Sequence, residues 1–174
     1  MDSAQHVKAA DHALTTTGTA LPGTGQTKAT ESSTMRAAVI SLGGELFTID
    51  LKNVREVFVV ESITPVPGMP SGLVGVTNLR GTVIPLVDLR PMFVLSSDAT
   101  LRYAVVVQHG NWQVGVLVDT VPEIRILFKD QFFPAPTGRG EGAVPFVSTV
   151  VKLEDQFRGV LETSMMLSYF ERMS

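Results

Sequence analysis

Apolar and polar positions along this chain alternate in short runs, and a helical spacing shows only near the C-terminal end. From residue 82 to 90 every second side chain changes face, so Val83, Pro85, Val87 and Leu89 share one side while Ile84, Leu86, Asp88 and Arg90 share the other. Residues 73–77 form a second β-branched run, and residues 78–81 between the two have the polar and glycine content of a hairpin connection. The same grammar repeats elsewhere. Strands are expected at 36–42 and 45–51 around Gly43-Gly44, at 101–108 and 112–119 around His109-Gly110-Asn111, and at 147–152 and 157–162. Trp112, Val114, Val116 and Val118 align on one face of the 112–119 run. Residues 53–60 begin as a helical turn and end as a strand, while 93–100 and the glycine-rich 134–145 read as connections. Residues 164–173 alone carry a helical period, with Leu167, Phe170 and Met173 sharing a stripe with Met166 that packs against the strands. Many short strands at close spacing, with no room for helical crossovers, give an all-β barrel or sandwich.

Composition adds boundaries to this picture. Residues 1–34 are rich in Thr, Ser, Ala and Gly and hold no sustained period, so a disordered tail is expected there and a folded domain over 35–174. The chain has 174 residues, a hydrophobic fraction of 44% and a formal charge of −3. It is long enough for a substantial core, and it lacks the basic runs that neutralise nucleic-acid phosphates. Trp112 and Tyr103, near Arg102, are read as core and edge residues of a strand pair, not as stacking platforms. No apolar run approaches the roughly 18 to 20 residues of a membrane span, and the first residues lack the apolar core of a secretory signal. A cytoplasmic protein without direct membrane insertion is expected. The absence of cysteine removes disulfides and thiolate chemistry.

Enzymatic chemistry lacks an inventory. His6 and His12 fall in the expected tail, which leaves His109 in a turn, so neither a metal cluster nor a serine–histidine pair assembles. Leu117-Val118-Asp119-Thr120-Val121 is similar to an aspartic-protease turn, but Val121 replaces the glycine that lets such a turn close. Asp119 is expected to end a strand and accept local backbone hydrogen bonds. Gly138-Arg139-Gly140-Glu141-Gly142 lacks the Lys-Ser/Thr of a phosphate loop. No catalytic residue, metal or cofactor is expected.

The remaining signal lies between Val66 and Arg90, an apolar stretch punctuated by Pro67, Pro70, Gly75, Asn78, Arg80, Gly81, Pro85, Asp88 and Arg90. Pro85 cannot donate to a ladder, which puts its strand at a sheet edge or a bulge. Asp88 and Arg90, neighbours on one face, can form an exposed pair worth about 0.2 to 1 kcal/mol. The order Val-Pro-x-x-Pro-x-x-Leu-Val-Gly-Val-x-Asn-Leu-Arg-Gly-x-Val-Ile-Pro-Leu-Val-Asp-Leu-Arg resembles the central signature of the CheW family, the adaptors that couple chemoreceptors to a histidine kinase in bacterial arrays. The resemblance runs from about residue 35 to about 136. It departs at Ser148-Thr149-Val150-Val151 and at Thr163-Ser164, where the family has a glycine-rich approach to its last strand and an acidic residue before its closing helix.

That resemblance implies two small SH3-like five-stranded β-barrels packed together, with short helices including a C-terminal one. It implies a noncatalytic adaptor that binds the regulatory domain of a CheA-type histidine kinase and the cytoplasmic tip of a chemoreceptor, is recruited to membrane-associated receptor arrays, and can assemble into rings. Arg80 falls on the family's recurrent partner-contact position, and Val54 and Glu56 match positions associated with kinase-side contact. The competing use of Arg80 is an internal ion pair with Asp88 or a turn carbonyl. Pro67, Gly75, Asn78, Gly81, Pro85, Asp88 and Arg90 are carried as shape residues. A β-barrel that binds a peptide or small ligand outside kinase arrays, or a divergent family member that binds one partner, is the alternative.

Overall fold

The structure, a computed structural model, describes residues 33–96, 100–136 and 146–173. The disorder expected for residues 1–32 and the loop expected over 137–145 lie outside the described residues. Two sheets make up the fold. The first holds β1 (Thr34–Leu42), β2 (Glu45–Asp50), β8 (Glu123–Phe128), β9 (Phe132–Pro134), β10 (Thr149–Leu153) and β11 (Gln156–Val160), in the order β8-β1-β2-β11-β10-β9. The second holds β3 (Val54–Val59), β4 (Leu73–Leu79), β5 (Thr82–Val87), β6 (Tyr103–His109) and β7 (Trp112–Val118), in the order β3-β6-β7-β5-β4. One helix, α1 (Thr163–Glu171), follows. The chain thus leaves the first sheet after β2, builds the whole second sheet, and returns to finish the first.

Why β6 and β7 are apolar on both faces follows from where the core sits. Val105 and Val107 of β6, with Val114, Val116 and Val118 of β7, join Ile40, Leu42 and Ile49 of the first sheet and Met166, Leu167 and Phe170 of α1 in one buried cluster between the sheets. Ala104 and Leu117, on the opposite faces of the same strands, pack with Leu86, Phe58 and Val60 inside the second sheet. Strands covered on both sides lose the alternation that a half-exposed strand keeps. The first sheet has its own small interior of Ala37, Leu127, Val151 and Val160, backed by Met35 and Phe132. Leu127 and Phe132 come from strands at its two edges, so the sheet is rolled far enough for its edges to share a core.

Several expectations change. β5 is not an edge strand: it pairs along its length with β4 and, at Leu86 and Val87, in parallel with Gly115 and Val116 of β7. Pro85 is tolerated there for a specific reason. Its cross-strand partner Val76 bonds on its other side to Thr64, donating at 2.9 Å and accepting at 2.8 Å. Pro85 and Val76 are therefore a pair without mutual hydrogen bonds, and the missing N–H faces the side on which pairing with β7 has not yet begun. The bulge lies one step away, between Leu73 and Gly75. Met173 is exposed beyond the end of α1 and does not extend its buried stripe. The strands β8 and β9 have no counterpart in the expectations above.

Asp119 accepts from the Ser41 hydroxyl and the Gly44 N–H, both at 2.8 Å, and its own N–H donates to the Ser41 carbonyl at 2.9 Å. These bonds are long-range, not local: they fasten the end of β7 to the β1–β2 hairpin, across the junction of the two sheets.

Candidate functional site

Arg80 sits at the tip of a two-residue hairpin. Arg80 and Gly81 both take positive φ, 51° and 88°, the conformation of a type I′ turn, whose twist suits the flanking strands. Asn78 supports it by accepting the Gly81 N–H at 2.8 Å. Glycine bears positive φ freely, whereas at Arg80 the same conformation is uncommon.

That side chain reaches across the sheet's open side. β3 and β4 are the two edges of the second sheet, and the Arg80 guanidinium meets the Glu56 carboxylate of β3 at 2.9 Å. One ion pair therefore spans the mouth of the rolled sheet. The side chains are 79% and 32% exposed, so the pair contributes only about 0.2 to 1 kcal/mol. Its use lies in orientation: Arg80 is held in place but remains open to solvent. Arg55, Gln113 and Thr82 line the same cleft, about 240 Å³ in volume.

The other residues singled out from sequence divide cleanly. Val54 is half-buried against the core between the sheets, because an irregularity in register between Val54 and Glu56 turns Glu56 toward the mouth and leaves Val54 facing inward. Asp88 is not the partner of Arg80. It binds Arg90 through two nitrogens, Nε at 3.0 Å and Nη2 at 2.8 Å, and also accepts the Arg90 backbone N–H at 3.0 Å. The two side chains are 14% and 15% exposed, so the expected surface pair is a largely buried one. The carboxylate's hydrogen bond pushes the Arg90 guanidinium pKa further up. Pro67 is exposed in the segment leading to β4, and Gly75 is buried within β4.

A feature the sequence reading missed lies on β8. Its strand alternates, but the apolar members Ile124, Ile126 and Phe128 are exposed, while Leu127 of the other set is buried. The register places this row beside Ala38 and Arg36 of β1. Glu123-Ile124-Arg125-Ile126 carried the signal, a period of two bounded by Pro122. At the mouth of the first sheet Arg125 pairs with Glu123 at 2.9 Å and Glu154 at 3.2 Å, and Arg158 pairs with Glu45 at 3.1 Å. Those arginines are occupied by carboxylates. The mouth itself, about 230 Å³, is smaller than the roughly 300–1,000 Å³ of most small-molecule pockets.

Two rolled sheets sharing a core, closed by one helix and presenting an ion-paired hairpin at one end, define an all-β module of the two-barrel kind. The CheW-like domain family matches residues 36–171. The chain belongs to that family. The match reaches well past residue 136, so the final strands and α1 are family structure despite the departures at 148–151 and 163–164.

Among relatives, the chemotaxis protein CheW of Rhizobium meliloti is 29% identical over 133 residues, covering 75% of this chain and 86% of that protein. The CheW of Klebsiella aerogenes is 35% identical over 101 residues, 56% of this chain and 60% of the relative's own length. The protein FrzA of Myxococcus xanthus is 35% identical over 105 residues, 58% and 64% of the two chains. In structure the chain is similar to the scaffolding protein TtCheW of Thermoanaerobacter tengcongensis, with a TM-score of 0.66 and 28% identity over 74% of this chain and 89% of that one. No helix among the described residues is long and apolar enough to cross a membrane.

Proposed function

We propose that this chain is a noncatalytic coupling adaptor that binds the regulatory domain of a CheA-type histidine kinase through the Arg80 end of its second sheet and a chemoreceptor's cytoplasmic tip elsewhere. The single observation that carries this reading is Arg80 itself. It stands exposed on a two-residue turn and is oriented by Glu56; the resemblance implies a partner contact at this position. A planar fork held this way can exchange one carboxylate for another, or bind a second through its remaining donors. The adaptor acts in the cytoplasm and joins membrane-associated arrays through its partners, with residues 35–174 as the working domain.

The row Ile124, Ile126 and Phe128 is the seat of the receptor tip in this reading. A row of exposed apolar side chains on an edge strand calls for a cover. It lies on the first sheet and Arg80 on the second, which leaves both partners room.

Arg80→Ala should leave the fold intact, with a stability change of about 1 kcal/mol or less. It should weaken kinase-domain binding by about 1 to 2 kcal/mol or more in a pull-down or titration. Unchanged binding by the folded variant would sink the Arg80 assignment. The swap Arg80→Glu with Glu56→Arg should restore the ion pair and the stability but not the binding. For the receptor, Ile126→Lys should reduce capture of the tip by about 1 to 2 kcal/mol while folding stability stays within about 0.5 kcal/mol. Undiminished capture would assign the apolar row to something else.

A further inference from the structure

The chain's only tryptophan, Trp112, is 59% exposed at the start of β7, although the other members of its face, Val114, Val116 and Val118, are buried between the sheets. A solvated indole exposes a large apolar surface with no folding benefit, and tryptophan and arginine are the residue types most enriched where a few side chains dominate an interface.

Its position ties it to Arg80. Gln113, the next residue, lines the cleft that also holds Arg80, Glu56 and Arg55. Trp112 precedes it on β7 and points to the opposite face of the strand, outside the cleft's lining but at the same end of the sheet. Leu86 and Val87 of β5 pair in parallel with Gly115 and Val116. Carried three residues back, that offset sets Val83 level with Trp112 and on the same face, and Val83 too is exposed. The β4–β5 and β6–β7 hairpin tips therefore lie at one end of the sheet, and between them they present an indole, a valine and the Arg80 guanidinium.

Charge specifies the occupant. Arg55 is exposed and has no ion-pair partner among the described residues, so the cleft carries two arginines against the one carboxylate of Glu56. From this we infer that Trp112 is a contact residue for the same partner as Arg80, inserting into an apolar pocket rimmed by carboxylates on that partner's surface. The inference rests on the reading that the Arg80 end binds the kinase regulatory domain. Val83 supplies the shoulder against which the partner's pocket closes, and Arg55 meets the rim.

Fluorotryptophan incorporated at this single site gives a direct reporter by fluorine NMR. Titration with the kinase regulatory domain should shift the Trp112 resonance and remove its sensitivity to a soluble quencher, and the receptor tip should do neither. Trp112→Ala should weaken kinase-domain binding at least about ten-fold, and Trp112→Phe should recover part of the loss. Receptor-tip binding and thermal midpoint should match the wild type in both variants. If the kinase domain binds, and Arg80→Ala weakens it, while the Trp112 signal stays still and Trp112→Ala binds as the wild type does, the inference about Trp112 is overturned and the Arg80 reading stands. Equal loss of both partners in Trp112→Ala also overturns it, because that pattern marks a structural role. A wild-type chain that does not bind the kinase domain overturns both.

Discussion

Arg90→Met should destabilise the folded chain by about 2 to 4 kcal/mol. Methionine keeps most of the aliphatic stem and removes the guanidinium fork. The Asp88 carboxylate then stays at 14% exposure with the backbone N–H of residue 90 as its remaining donor from that residue, which leaves a nearly buried charge uncompensated. The pair also sits at a structural corner. Val87 ends β5, Leu89 is fully buried, and the short helical turn Arg90–Phe93 begins at once. A Cβ on Gly43 would lie 3.7 Å from the Arg90 Cδ, so the arginine stem lies close against the β1–β2 hairpin of the other sheet. Urea unfolding checks the size of the loss. Asp88→Ala combined with Arg90→Met should be less damaging than the sum of the single changes, since no unpaired carboxylate remains. Strict additivity would show that the two residues act independently.

Gly75→Val should cost about 3 kcal/mol or more and loosen the chain that leads into β4. Gly75 has φ 151°, and a Cβ there would come within 2.5 Å of the Thr64 carbonyl oxygen and 2.7 Å of the Ile63 Cγ2. The first obstacle is backbone, which cannot swing aside as a side chain can. Thr64 is the residue that exchanges two hydrogen bonds with Val76, so pushing it away breaks the bridge that holds residues 63–64 on β4. Hydrogen exchange should report this as lost protection at the Thr64 and Val76 amides, together with a lower urea midpoint. Protection equal to that of the wild type would mean that the close approach is not needed.

These two sites also mark how far the sequence could be read. The hairpin at Asn78–Gly81 was legible because a type I′ turn demands positive φ, and polar residues with glycine announce it. The glycine at 75 was legible as a shape residue, but not that a backbone approaches it closely, because Thr64 reaches it through a segment with no period of its own. Pro85, expected at a sheet edge or a bulge, lies in a strand paired on both sides, one step from a bulge in the β4–β5 ladder. A ladder needs the donor of a given residue on one side only, and here that side is not yet paired. Asp88 was placed beside Arg90 correctly, yet its burial depended on the other sheet, which local alternation does not describe. The Arg80–Glu56 contact was hidden for the same reason: both residues were picked out separately, but that they meet follows from the rolling of a sheet whose edges are β3 and β4. On β8 the alternation was present, and it tells that two faces differ without telling which one faces water. β9 has three residues, the last of them a proline, and is too short for any period.

Binding titrations of the intact chain against the kinase regulatory domain and the receptor tip, first separately and then with the other partner already bound, test the coupling role most directly. Each partner should bind alone, and each should still bind the complex formed with the other, because Arg80 and the β8 row lie on different sheets. A folded chain that binds neither partner would contradict that role.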